Sequence, residues 1–199
     1  MAYGASGGFG LQPVNSGAGV TWNGGTNDYP LPATGGQSIF QGDPVALSTL
    51  GVIRRGAGSA VTLGVFQGCK YQDANGVWQI TNTWAGATGN VLTGNTPVAM
   101  VIDDPSVQYT ITEGDGTGAS GTPLTAAALG ATVDYVYTAG STRTGLSAVT
   151  LNNTTATTTA TQSLRINALD PRTGNVVGAF ANWIVQINTS AHAAGQARV

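Results

Sequence analysis

The sequence predicts an all-β fold: a β-sandwich or β-barrel body of short strands, entered through an extended N-terminal arm. Three observations predict it. Apolar runs are short and punctuated by Pro and by 30 glycines among 199 residues, about twice the usual ~7%. SAVTLGVFQGCKY alternates with period 2, placing Val61, Leu63, Val65, Cys69 and Tyr71 on one face and Gly64 and Gly68 on the other. Only LTAAALG, residues 124–130, has helical character, and it is barely two turns long.

Residues 1–37 are the first element. They carry a single charge and no sustained hydrophobic period, and their aromatics, Tyr3, Phe9, Trp22 and Tyr29, stand singly among Gly, Asn and Pro that favour turns or extended chain. Such a segment has no core of its own. Extended at ~3.3 Å per residue it spans roughly 120 Å, against a radius of gyration of about 16 Å for a body of this size. It is therefore expected to reach a neighbouring subunit, with those four aromatics as partner-binding anchors and β-augmentation satisfying its backbone. A frayed tail is the alternative. On the arm reading, removing residues 1–30 leaves a folded body.

Residues 38–199 are expected to form one all-β domain. IFQGDPVALSTL, GVFQGCKY, VWQITNTW, PVAMVID, VQYTI, VDYVY, LRINAL and NWIVQIN are its strands; in the last, Trp183, Val185 and Ile187 share a face. Short strands at near-regular spacing argue for a sandwich or barrel. The Thr-saturated stretch over residues 154–166 reads as an exposed strand or strand-like excursion, with a flexible linker as the rival. Cys69, the one cysteine, is an inward-facing packing residue, and a single thiol excludes an internal disulfide framework.

Charged residues make up 8% of the chain, against roughly 25% in an average soluble protein. Its surface must then be Thr, Ser, Asn, Gln and Gly. Such a surface loses little hydration on contact, and interface centres are depleted in charge, so the composition suits a chain that docks against other proteins. With a net charge of −2 and scattered Lys and Arg, no basic stripe exists to neutralise phosphates, and nucleic acid is not an expected partner. No apolar run approaches the ~18 residues of a membrane span, and no Lys or Arg precedes Arg54 to form the n-region of a secretory signal. The expectation is a soluble chain made in the cytoplasm.

The candidate chemistry begins with VIDDPSVQYTI, where two carboxylates precede a proline. Asp-Pro occurs at Asp43-Pro44, Asp104-Pro105 and Asp170-Pro171, each beside an apolar strand. An Asp carboxylate bonds N–H groups just after it while Pro fixes φ, so these residues, with Asp103, read as structural turns. A glycosidase needs two carboxyls facing one substrate, whereas neighbours on a strand point to opposite faces. Glu113 and Asp115 lack the regular acidic spacing of a calcium loop. His192, the only histidine, sits in a tail of small residues, and TGLSAV lacks the second Gly of a nucleophile elbow. GTGASG matches G-x-G-x-x-G, but no long helix opens behind it. Asn152, Asn153 and Asn188 head N-x-S/T sequons, which carry no meaning without secretion. No catalytic residue, metal ligand or cofactor is expected.

IFQGDPVALSTLGVI, GVFQGCKYQDANGVW, VAMVIDDPSVQYTI, TGLS and NWIVQIN stand in an order that resembles the capsid decoration, or cement, proteins of tailed bacteriophages, over residues 38–187. The resemblance implies a β-rich virion protein on the capsid exterior, bridging major capsid protein subunits and bracing the shell. It places Asp43, Asp103 and Asp104 at turn positions without a chemical role. Homo-oligomerisation as a dimer or trimer follows from symmetric capsid sites. The alternative is a head-fibre or tail-associated module that recognises a glycan receptor through Trp22, Trp78 or Trp84.

Overall fold

A computed structural model describes residues 8–32, 36–48, 53–55, 61–86, 91–117 and 119–192. The chain is all-β. Its strands are β1 (Gln12–Ser16), β2 (Val20–Thr21), β3 (Asn27–Pro30), β4 (Ile39–Phe40), β5 (Pro44–Leu47), β6 (Ile53–Arg55), β7 (Gly64–Gln72), β8 (Trp78–Thr81), β9 (Thr83–Trp84), β10 (Val98–Ile102), β11 (Gln108–Gly114), β12 (Thr132–Val133), β13 (Tyr135–Val136), β14 (Thr150–Asn152), β15 (Leu164–Leu169) and β16 (Asn182–Ile187). The expected helix shrinks to one 3-10 turn, Ala126–Ala128.

Two sheets carry the architecture. The larger runs β12-β15-β16-β11-β1-β2, with β14 beside β11 and β13 beside β14; the smaller runs β3-β10-β7-β5-β6, with β8 on β7. Among the described residues, every pairing between these strands is antiparallel except β11 with β14, and two isolated bridges, Gln41↔Leu146 and Thr62↔Ser190, are parallel. One core lies on the inner face of the larger sheet, where Tyr109, Ile111, Leu164, Ile166, Trp183 and Val185 pack with Val65 and Ile102 of the smaller. A second core, including Phe66, Cys69, Trp84, Ala99 and Val101, fills the other face of the smaller sheet. Burial on both faces of β7 and β10 couples the two cores.

Three further expectations change. Residues 8–32 are largely extended, but they join the body's own sheets: β1 pairs with β11, and β3 pairs with β10. Leu11 and Leu31 enter the two cores. The backbone bonding that an ordered arm requires is found within the same chain, so the arm reaching a neighbour is corrected for these residues. Tyr3 lies outside the described residues.

The period-2 reading of β7 also breaks. Its register with β10 jumps from Gly68↔Met100 to Phe66↔Val101, leaving Gln67 as an extra residue. That bulge shifts the phase, so Phe66 and Cys69 share the second core while Val65 faces the first. Cys69 is buried as expected.

The Thr-rich stretch is neither a strand nor a bare linker. Only an isolated bridge, Thr132↔Thr157, interrupts a run of turns before β15 begins at Leu164. Thr154 donates to Asn152 Oδ1, and Thr159 Oγ1 contacts both Thr157 Oγ1 and Thr161 Oγ1. Hydroxyls that bond locally compete with a backbone ladder.

Candidate functional site

Asp104 Oδ1 accepts the Ser106 N–H at 2.8 Å, and Asp170 Oδ1 accepts the Arg172 N–H at 3.1 Å. Both carboxylates hold the turn that Pro105 or Pro171 begins. Asp43 works backward instead: its Oδ2 accepts the Phe40 N–H, three residues earlier, before Pro44 opens β5.

Asp103 does not serve the corner, which corrects its reading as a turn residue. Its carboxylate accepts Asn27 Nδ2 at 2.9 and 3.0 Å and the Tyr29 hydroxyl at 2.5 Å, and His192 Nε2 lies 3.4 Å away. Burial and the neighbouring Asp103 carboxylate together raise the Tyr29 hydroxyl above its ordinary pKa, so it donates at any physiological pH. Asp103 thus fastens the segment carrying Asn27 and Tyr29 to the body.

Of the expected aromatic anchors, Phe9, Trp22 and Tyr29 are half-buried. Trp22 packs on the first core and Tyr29 on the second. Both are committed to their own chain. Trp84 is also buried, and it meets Tyr71 edge-on at 5.5 Å. Of the three tryptophans proposed for glycan stacking, only Trp78 stands exposed.

Trp78 belongs to the feature that sequence reasoning missed. The β7–β8 hairpin turns through Ala74, Asn75 and Gly76, where Gly76 takes φ +80° with open space around it. Asp73 pins this turn: its carboxylate accepts the N–H groups of Asn75 and Val77 at 2.9 and 3.0 Å and Gln79 Nε2 at 3.0 Å. The Val77 N–H bond, followed by that of Gln79, holds Asp73 below the ordinary carboxylate range. A fixed hairpin then presents Trp78 at 62% and Ile80 at 76% exposure, two residues apart and so on one face.

That face is continuous with the outer part of the smaller sheet. Ile80 lies opposite Lys70, Lys70 opposite Val98, and Val98 opposite Pro30. Lys70 pairs with Asp28, so its charge is answered within the face. From residue 74 to residue 102 the sequence contains no Asp, Glu, Lys, Arg or His. Exposed strands are ordinarily protected by charge, and β8 has none. The charge-free run was the available signal; the net composition hid it.

Elsewhere, Glu113 is buried on β11, and its Oε2 accepts the Trp183 indole N–H at 2.7 Å. Burial pushes its pKa up to about 6, opposed by that indole donor. Asp115 points its carboxylate at Thr117, whose N–H and hydroxyl it accepts at 2.8 Å; Gly118 of the GTGASG motif lies outside the described residues. Among the described residues, no three His, Cys, Asp or Glu side chains gather as a metal site, and no helix is long and apolar enough to cross a membrane.

Set beside known protein families, curated proteins and solved structures, the chain matches none of them.

Proposed function

We propose that this protein is a structural, non-catalytic component of a phage virion that docks on the capsid exterior, bridges major capsid protein subunits and stabilises the shell. The observation that carries the reading is the apolar face of β8, Trp78 with Ile80, on a pinned hairpin inside a charge-free run. Large apolar side chains held rigidly in water favour burial against another protein, at ~25 cal/mol per Å² of area removed from solvent. Tryptophan is also a residue type that dominates interface energetics. A charge-poor exterior lowers the desolvation cost around such an anchor, and repetition over a shell multiplies modest contacts.

Reconstitution tests the reading. Purified protein is added to heads that lack it, and the heads are pelleted and heated. Saturable binding at a fixed copy number, with heads that survive a higher temperature, is the expected result. Protein that stays in the supernatant while binding a glycan array would replace this reading with the head-fibre or tail module.

A further inference from the structure

The edge of β8 is distinct from its apolar face. Among the described residues, β8 pairs with β7 on one side only. At the start of the ladder the Asp73 N–H donates to the Val77 carbonyl at 2.9 Å. Pairs in an antiparallel ladder alternate between hydrogen-bonded and non-hydrogen-bonded. Gln72↔Trp78 and Lys70↔Ile80 are then the non-bonded pairs, and Tyr71↔Gln79 the bonded one. The Gln72 carbonyl accordingly turns away from β8 and accepts the Leu92 N–H. By the same alternation, the N–H and C=O groups of both Trp78 and Ile80 point outward from the sheet edge.

We propose that this edge pairs with the same edge of a second copy of the chain, antiparallel, about a twofold axis through Gln79. That register sets Trp78 opposite Ile80 of the second copy, and Ile80 opposite its Trp78. Every outward donor and acceptor then finds its counterpart, giving four backbone hydrogen bonds. The side chains form two aromatic–aliphatic cross-strand pairs of the favourable kind. Shifting the axis to Trp78 or Ile80 breaks this match, because only one of the two residues then meets an outward-facing partner on β8.

Self-pairing is favoured over capture of an unrelated strand by two features. A twofold axis brings identical surfaces together, so any charge on the strand would meet its own kind; β8 carries none. The hairpin is also fixed before pairing by Asp73, so both edges arrive preformed. An edge of four residues buries less than the ~1,200 Å² of a standard stable interface. The pair is therefore reversible in dilute solution and forms where copies are concentrated. Pairing would also double the apolar patch on one face of the joined sheet. Only that last consequence rests on the docking reading; the pairing itself is tested without a shell.

The axis makes Gln79 its own opposite in a non-hydrogen-bonded pair, with Cα atoms about 4.5 Å apart, within disulfide reach. The native thiol, Cys69, is buried. Full-length Gln79→Cys is oxidised with glutathione disulfide beside Asn75→Cys, an exposed position at the hairpin tip. Gln79→Cys is expected to give covalent dimer at least tenfold faster, and adding Ile80→Lys is expected to abolish the difference. Equal rates at the two positions would overturn the proposal, as would cross-linking that Ile80→Lys leaves untouched. Should Gln79→Cys fail to fold, sedimentation velocity of the unaltered chain decides. Dimer that grows with concentration and disappears in Ile80→Lys supports the pairing, and a monomer throughout contradicts it.

Discussion

The Trp183 indole N–H donates to Glu113 Oε2 at 2.7 Å, between two side chains that are both fully buried. A buried carboxylate is costly there, and donors from Trp183, the Leu124 N–H and the Asn153 side chain offset only part of its desolvation. Burial lifts Glu113 to about 6 from an ordinary 4.5. Between those values the folded chain holds a proton that the unfolded chain has released. Stability therefore falls as pH rises through this window, by about 2 kcal/mol, and levels off above it. Glu113→Gln keeps an acceptor for the indole and removes the charge. It should raise stability by about 1–2 kcal/mol near neutral pH and leave it unchanged near pH 4. Chemical denaturation at the two pH values checks this; a variant less stable near neutrality would refute it.

Asp170 behaves in the opposite sense. Burial alone would raise its pKa, but the Arg172 guanidinium and the Thr110 hydroxyl, bonded to Oδ2, hold it below the ordinary carboxylate range. Its contribution is present above the unfolded value of about 3.8 and disappears as pH falls through the folded one. Asp170→Ala should cost about 2–3 kcal/mol near neutral pH, because Thr110 and the turn at Arg172 lose their acceptor. The deficit should shrink in acid. Urea titrations across pH measure it, and a pH-independent loss would show that packing, not charge, is responsible.

Gly64 sits where β7 crosses β10. A Cβ there would lie 2.1 Å from the Ile102 carbonyl oxygen and 2.9 Å from Asp103 Cα, both backbone atoms that cannot swing aside. Gly64→Ala should destabilise by about 3 kcal/mol or more. Gly25→Ala, whose added carbon meets only Asn23 Oδ1 at 3.5 Å, should be neutral within about 0.5 kcal/mol or slightly stabilising. Equal thermal midpoints for the two variants would contradict the close approach.

Deleting residues 1–30 removes β1, β2 and β3 and takes Leu11 out of the first core. β11 loses β1 as its neighbour in the larger sheet, and Asp103 loses Asn27 and Tyr29. The truncated chain should lose cooperative unfolding. A sharp calorimetric transition in the truncated protein would restore the separable arm.

Much of the fold was legible because its strands are short, apolar and set apart by turn residues. NWIVQIN is the clearest: Trp183, Val185 and Ile187 all enter the first core. What escaped had physical causes. β1 reads QPVNS, half-buried along its length, so pairing rather than hydrophobic period places it beside β11. The bulge at Gln67 depends on register, which the sequence of one strand does not encode. Asp103 resembled its neighbour Asp104 in sequence, yet its partners lie 74 and 76 residues away in the chain. The exposed face of β8 was hidden by inclusion in VWQITNTW, where Trp84 is buried and Trp78 is not.

The central claim is docking on a viral shell through the face that carries Trp78 and Ile80. A cryo-EM map of heads saturated with the protein tests it most directly. Density for this fold outside the shell at symmetry-related positions, with β8 against the capsid protein, is the predicted result. Bare heads, or density in which Trp78 and Ile80 face open solvent, would contradict it.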